Sequence, residues 1–307
     1  MLRLLKNALL FRSLSWARSL HPYPVKFTRA NARDLSQGVY VPEADVYIRG
    51  TTPAELVLLQ DLGAVARAKH ELGVEFEFRD GRWVAKLRGL EFIMRNKADP
   101  WLLTEIFLDG IYEVPLKSPP KLVIDIGMNC GVASIYLAQK YGCEVHSFEL
   151  CSPTFEAAEE NMALNPGVAG RIHRNCYGLA DKSESLEIPY TRSNTVVTSM
   201  YGLEEGVAAT DRLAVQVVRA TNALGPVLER AGGGPVFAKI DCEGAEFPIL
   251  RDLESSGLLS KIDAIAMEYH TGAGDPRELD DILTRSGFQV SKVGWTEDLG
   301  FIKAVRS

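Results

Sequence analysis

From residue 121 onward the chain reads as apolar runs of strand length separated by stretches of helical length, and this alternation restricts the fold more than any other feature. Strands fit 122–126, 144–148, 171–175, 236–240, 262–267, 288–293 and 301–305, while helices fit 132–141, 153–164, 245–253 and 276–286. Parallel strands need crossover connections, and a parallel sheet must be covered on both faces. The pattern therefore predicts an α/β fold, a Rossmann-like, doubly wound and mostly parallel sheet. Residues 294–300 are too few for a helical crossover, so the last two strands should pair antiparallel.

Before residue 121 the pattern is different. Thr52-Pro53-Ala54-Glu55 has the form of a capping box with proline at the first helical position, and it predicts one helix running to Gly73. Val74, Phe76 and Phe78 alternate with charged residues, Asp80-Gly81 supplies a turn, and Trp83, Ala85 and Leu87 resume the alternation; with Leu90, Phe92 and Met94 this predicts an antiparallel meander. A further helix opens at Asp99-Pro100 and closes near Gly110, and Leu116-Lys117-Ser118-Pro119-Pro120 reads as a stiff linker. The expected organisation is a basic segment 1–33, a helix and β-meander region 34–120, and an α/β domain 121–307.

The basic segment carries Arg3, Lys6, Arg12, Arg18, Lys26, Arg29 and Arg33 with no acid before Asp34, and Leu2, Leu5, Leu9, Trp16 and Leu20 share one helical face. Such a stripe docks on the protein body, lies on an anionic membrane surface, or belongs to a transit peptide, and all three readings stay open. Elsewhere the balance is acidic. With 34 Lys plus Arg against 40 Asp plus Glu, the net charge is −6, so the broad basic surface of nonspecific nucleic-acid binders is missing and no nucleic-acid partner is expected. The 5 cysteines form no C-x-x-C pair and no zinc spacing, which predicts free thiols in a cytosol-like compartment. No apolar run approaches the roughly 18 residues of a membrane span. The expected location is cytoplasmic, with peripheral membrane contact through residues 1–33 under the second reading.

The segment Leu122-Val-Ile-Asp125-Ile-Gly127-Met-Asn129-Cys-Gly131 is an apolar strand entering a small-residue loop and then a helix. In a doubly wound sheet such a loop sits at the carboxyl ends of the strands, where ligands bind. A dinucleotide fingerprint needs G-x-G-x-x-G, but its second glycine is Asn129 here and its third is missing, which disfavours a nicotinamide cofactor. Asn129 still tolerates the left-handed turn. S-adenosylmethionine suits the site better: Asp125 can attract its ammonium, the helix after Gly131 its carboxylate, and Glu149, at the end of the second strand, its ribose diol.

On three motifs the sequence resembles the FkbM family of S-adenosylmethionine-dependent methyltransferases: the D-x-G-x-N-x-G loop from Asp125 to Gly131, Phe148-Glu149, and Lys239-Ile240-Asp241-Cys242-Glu243-Gly244-Ala245-Glu246. The match covers roughly residues 121–307, with a weaker echo in the meander and in Glu105-Ile-Phe-Leu-Asp-Gly-Ile-Tyr112. Where the family continues its Phe-Glu with proline, this chain has Leu150-Cys151-Ser152-Pro153. The resemblance implies a class I methyltransferase sheet with an antiparallel last strand. It also implies cofactor contacts from Asp125, Gly127, Asn129, Gly131 and Glu149, and methyl transfer to oxygen on sugar hydroxyls or natural products, without a metal.

The residues themselves favour oxygen. Enzymes that methylate base amines place an [Asn/Asp]-Pro-Pro-aromatic turn after the fourth strand, whereas this chain has Lys239-Ile-Asp241-Cys-Glu243 there. An alkyl hydroxyl must lose a proton as it attacks, and Asp241, Glu243 and Glu246 are candidate bases, with Lys239 positioning one of them. His270 follows the fifth strand on the same side as Glu268 and is a further candidate. The expected catalytic set is Asp241, Glu243 and His270, with Asp241 first, and the expected acceptor is a small molecule or glycan. Tyr190, Tyr201 and Trp295 are loop aromatics suited to stacking on a sugar, and residues 193–206, without clear periodicity, suit a pocket cover. The alternative is a non-catalytic S-adenosylmethionine-binding module or a membrane-associated scaffold using the basic segment.

Overall fold

The computed structural model describes residues 39–41, 45–48, 52, 54–191, 198–199, 202–203, 209, 211–270, 273–294 and 299–306. Segment 1–33 lies outside these residues, as do Tyr201, Trp295 and most of 193–206. The chain divides into two compact units, Met1–Gly110 and Ile111–Ser307, so the division falls before the proline linker at which a boundary is expected. The physical reason is that Tyr112 and Glu113 bond into the second unit: the Tyr112 hydroxyl donates to Asp241, and Glu113 accepts from Tyr136 and Lys140.

In the first unit, β1 (Val39–Val41) pairs antiparallel with β2 (Val46–Ile48). The capping box forms, with Glu55 Oε2 accepting from the Thr52 amide at 2.8 Å, but it opens only a turn and the 3-10 segment Val57–Leu59. The helix proper, α1 (Leu62–His70), starts afresh at Asp61, whose side chain accepts from the Ala64 amide at 2.9 Å. One expected helix is thus two pieces, because a second residue of capping type interrupts the run. The meander is as expected, β3 (Glu75–Arg79), β4 (Arg82–Leu87) and β5 (Leu90–Met94) in antiparallel order. Helix α2 (Asp99–Thr104) continues as a π turn to Asp109 and stops at left-handed Gly110.

The second unit is built on a seven-stranded sheet. Its elements are β6 (Leu122–Ile126), α3 (Val132–Tyr141), β7 (Glu144–Phe148), α4 (Ser152–Leu164), α5 (Pro166–Ala169) and β8 (Ile172–Asn175) on the first half. An insertion follows, with β9 (Gly178–Ala180), β10 (Glu184–Tyr190), the short ladder β11 (Thr198–Ser199) and β12 (Gly202–Leu203), and β13 (Asp211–Arg219). The second half is α6 (Ala220–Arg230), β14 (Val236–Ile240), α7 (Glu246–Ser255), β15 (Ala264–His270), α8 (Pro276–Arg285), β16 (Phe288–Gly294) and β17 (Leu299–Arg306). The sheet order is β16-β17-β15-β14-β6-β7-β8. All neighbours from β15 to β8 are parallel, and β17 runs antiparallel to both β15 and β16. The chain winds one way from β6 and the other way from β14, so the switch point lies between them.

Every residue of β6 and β14 is buried, because helices cover both faces of these central strands. The insertion is a separate three-stranded sheet, β10-β13-β9, over a small cluster of Cys151, Ile188, Tyr190 and Val215. Tyr190 is therefore core and not a free stacking surface. The 5 cysteines are free thiols, and among the described residues no helix is long and apolar enough to cross a membrane.

Helix α6 has no cap from its own first residues and is capped by its neighbour α7. Asp252, buried at 3% exposure, accepts from the Thr221 amide at 2.7 Å, the Thr221 hydroxyl at 2.6 Å and Arg219 Nε at 2.6 Å. Substituting Asp252→Ala orphans these donors and should destabilise the protein by about 2–3 kcal/mol, measured by denaturant unfolding. A loss under about 0.5 kcal/mol would show that water replaces the cap.

Candidate functional site

The site begins with a register fact. Lys239 on β14 is the partner of Asp125 on β6, and Asp125 is the partner of Ser147 on β7, so three buried polar residues lie side by side across the central strands. Lys239 Nζ lies 3.2 Å from Asp125 Oδ1, and Ser134 on α3 donates to Asp125 Oδ2 at 2.5 Å. Lys239 and Asp125 are 2% and 0% exposed, which makes this an ion pair of the interior. Burial works against the Lys239 charge, but Asp125 and Asp241 outweigh it and raise its pKa. The ammonium also donates to the Gly127 carbonyl at 2.5 Å and lies 3.6 Å from Asp241 Oδ2, so one cation ties the loop after β6 to the end of β14.

That tie brings two backbones close. A Cβ on Gly127 would lie 1.7 Å from the Asp241 carbonyl oxygen, and the residue is at φ +81°, so only glycine fits. Asn129 takes the left-handed conformation, φ 51°, as the loop requires. Gly131, φ +82°, precedes α3, and a Cβ there would lie 3.0 Å from the Met162 methyl and 3.2 Å from the Ala158 Cβ of α4, tighter than ordinary contact and in a conformation that favours glycine. No side chain caps α3, whose first turn therefore carries amides without a side-chain partner at the carboxyl ends of the strands.

Glu149, 8% exposed, follows β7. Its Oε2 accepts from the Asn129 amide at 2.8 Å and its Oε1 from the Cys151 amide at 2.9 Å, while burial pushes its pKa up. A carboxylate has about four acceptor positions, so these two amides fix its orientation and leave one position on each oxygen for a diol. The arrangement fits S-adenosylmethionine on this count and on the uncapped helix end. Asp125 is fully buried, paired with Lys239 and accepting from the Ser134 hydroxyl.

At the ends of β14 and β15 the acids gather. Asp241 accepts from the Tyr112 hydroxyl at 2.8 Å; burial first, and then Asp241 and Glu268, hold that phenol well above its ordinary pKa, so it remains a donor. Strand β15 persists through His270, which keeps Glu268 and His270 on one side. His270 Nε2 lies 3.3 Å from Glu243 Oε2 and Nδ1 lies 3.3 Å from Glu246 Oε1. Glu246 is fully buried, so it supports His270 and cannot reach an acceptor as a base. Glu243 sits at φ 58°, in the left-handed region that a residue with a Cβ seldom adopts.

Asp241, Glu243 and His270 are thus brought together, and Gly127, Asn129, Gly131 and Glu149 form the neighbouring rim. The pairing of Tyr112 with Asp241 had no signal in the sequence beyond the weaker family echo that ends at Tyr112, since the two meet across 129 positions. Both His270 nitrogens face carboxylates. Burial lowers its pKa, but Glu246 and Glu243 prevail and raise it to about 9. In the cofactor-free protein the imidazolium should persist through neutral pH and titrate near about 9 by NMR. Because this folded value exceeds the unfolded one of about 6.5, the stability it contributes is complete below about pH 6.5 and is lost as pH rises through about 9. Glu246→Gln should bring the titration down toward the unfolded value; an unchanged titration would remove Glu246 from this role.

Comparison with known proteins supplies the family. A family model described as the methyltransferase FkbM domain matches residues 125–290. Methyltransferase 1 of Beauveria bassiana is 27% identical over 205 residues, covering 61% of this chain and 80% of that protein. Methyltransferase sdnD of Sordaria araneosa is 24% identical over 226 residues, covering 64% and 86% respectively. Among solved structures, an FkbM methyltransferase from Methylobacillus flagellatus overlaps with a TM-score of 0.42 at 15% identity, over 62% of this chain and 45% of that one. The matched span holds the glycine loop, Glu149 and the acidic cluster after β14, and the chain belongs to the FkbM methyltransferase family.

Proposed function

We propose that the protein transfers a methyl group from S-adenosylmethionine to a hydroxyl oxygen of a small-molecule or glycan acceptor. The observation that carries this reading is the half-buried pair of acids, Asp241 and Glu243, at the strand ends beside an uncapped helix N-terminus and an oriented Glu149. S-adenosylmethionine supplies an electrophilic methyl on a sulfonium, which becomes a neutral thioether as the acceptor oxygen takes the carbon and the carbon–sulfur electron pair goes to sulfur.

The chain's own groups have three tasks. Glu149 holds the ribose, and the α3 amides receive a carboxylate. Asp241, oriented by Tyr112 and Lys239, accepts the hydroxyl proton, which at this place is ready to leave only as the oxygen forms its new bond. Glu243 and His270 shape the acceptor side, His270 being held between two carboxylates and so a poor proton acceptor. The acid-rich turn contrasts with the backbone-carbonyl turn that amine methylation uses, and this supports an oxygen acceptor.

Two substitutions separate binding from chemistry. Glu149→Ala should weaken S-adenosylmethionine binding by roughly 5- to 150-fold, about 1–3 kcal/mol, in calorimetry. Asp241→Asn should keep cofactor affinity within a few-fold and lower the single-turnover rate by about 10²–10⁴ with an acceptor found by labelling fractionated extract. Parent-like binding by the Glu149 variant would remove the ribose assignment. Cofactor binding with no label transferred to any fraction would favour the non-catalytic alternative.

A further inference from the structure

Asp241, Glu243 and His270 carry side-chain ligand atoms that all lie within 4.8 Å of one another at the carboxyl end of the sheet. We propose that these three residues form a binding site for a first-row divalent cation of the manganese(II) type. The inference departs from the metal-free chemistry that the family resemblance implies. The ion's role, holding the acceptor oxygen and easing its deprotonation beside Asp241, rests on the methyl-transfer reading; its binding does not.

The spacing is right for shared coordination. His270 Nε2 and Glu243 Oε2 are 3.3 Å apart, and two ligands on one ion with bonds of about 2.0–2.2 Å lie roughly 3.0–3.5 Å apart. Asp241 has a second carboxylate oxygen beyond the one that Tyr112 and Lys239 engage. One imidazole with two carboxylates favours manganese, iron, cobalt or zinc over calcium, which prefers oxygen alone. All three side chains are partly exposed, at 23%, 32% and 23%, so coordination positions remain open to the cleft.

A second observation lies outside the three ligands. Behind His270, the fully buried Glu246 faces Nδ1 through Oε1 at 3.3 Å, and its Oε2 has no hydrogen-bond partner. A buried carboxylate behind an imidazole is the support that metal-binding histidines use: it draws the ring proton to Nδ1 and turns the Nε2 lone pair toward the ion. Four carboxylates, those of Asp125, Asp241, Glu243 and Glu246, lie here with Lys239 and the His270 ring as the cationic groups the geometry pairs with them. An ion binds by displacing the His270 ring proton from Nε2, so it takes over a positive charge the cluster already holds.

A second cluster, Glu144, His146 and His173, lies at the amino end of the sheet and serves as a comparison. There the two imidazoles stack at 4.4 Å and 17°, so their in-plane lone pairs run parallel and do not converge, and Arg230 already engages Glu144. It lacks the geometry that the first cluster has.

The test uses the full chain, stripped with EDTA and desalted, and titrated with manganese(II) while free ion is read by electron paramagnetic resonance. One ion per chain should bind, with affinity at least tenfold weaker in both Glu243→Gln and His270→Gln and unchanged in His173→Gln. Absence of binding in the parent, binding indifferent to both substitutions, or loss with His173→Gln each overturns the site. Calorimetry with S-adenosylmethionine, run in parallel, keeps the two readings apart. Cofactor binding without ion binding refutes the ion site alone, whereas ion binding without cofactor binding leaves the ion site standing and refutes the methyl-transfer reading.

Discussion

The Lys239 to Asp125 pair is the constraint on which the site depends. A lysine with 2% exposure would be expelled from the sheet without an opposite charge, and an unpaired partner left behind would be destabilised by about 3–5 kcal/mol. The register places that charge on the adjacent strand and its remaining donors on the Gly127 carbonyl and Asp241. The loop after β6 is therefore anchored from below at the point where the sheet switches direction. The same ammonium that satisfies the interior orients the acid that faces the cleft.

Much of this architecture was legible in the sequence because it depends on local pattern. Runs such as Leu122–Ile126 and Val236–Ile240 are apolar apart from Asp125 and Lys239, as strands of a parallel sheet covered on both faces require. The insertion was not legible. A doubly wound pattern demands a crossover helix between β8 and β14, and that helix, Ala220–Arg230, carries Gly225 and Pro226 in its interior, two residues that ordinarily mark a break. Leu213, Val215 and Val217 do alternate, but the partner strand β10 mixes charge with Leu186 and Ile188, so the pairing emerges only in three dimensions.

In the site the same divide holds. The glycine loop and Glu149 announce themselves by spacing, since backbone conformation and strand length set both. Partnerships across the fold do not: Tyr112 meets Asp241, and His270 meets Glu246, between elements whose separation in sequence carries no signal. The electrostatic character of His270 follows from such a partnership. Its ring type alone suggests a neutral base near pH 7, whereas two carboxylates at 3.3 Å make it a place where positive charge is held.

The turn after β14 shows why those acids stay where they are. Glu243 and Gly244 both have positive φ, 58° and 107°, and a glutamate in the left-handed region carries a penalty of about 1 kcal/mol or more. Glycine at position 243, as at 244, would relieve it. Reversal of the chain at this turn puts Glu243 over His270 and frees the following residues to start α7, whose first residue, Glu246, reaches beneath the same ring. Two acids three residues apart thereby grip one imidazole from opposite sides, one exposed to the cleft and one sealed from it. The sealed one lies 3.3 Å from Nδ1, and the partly exposed one faces Nε2 at the same distance.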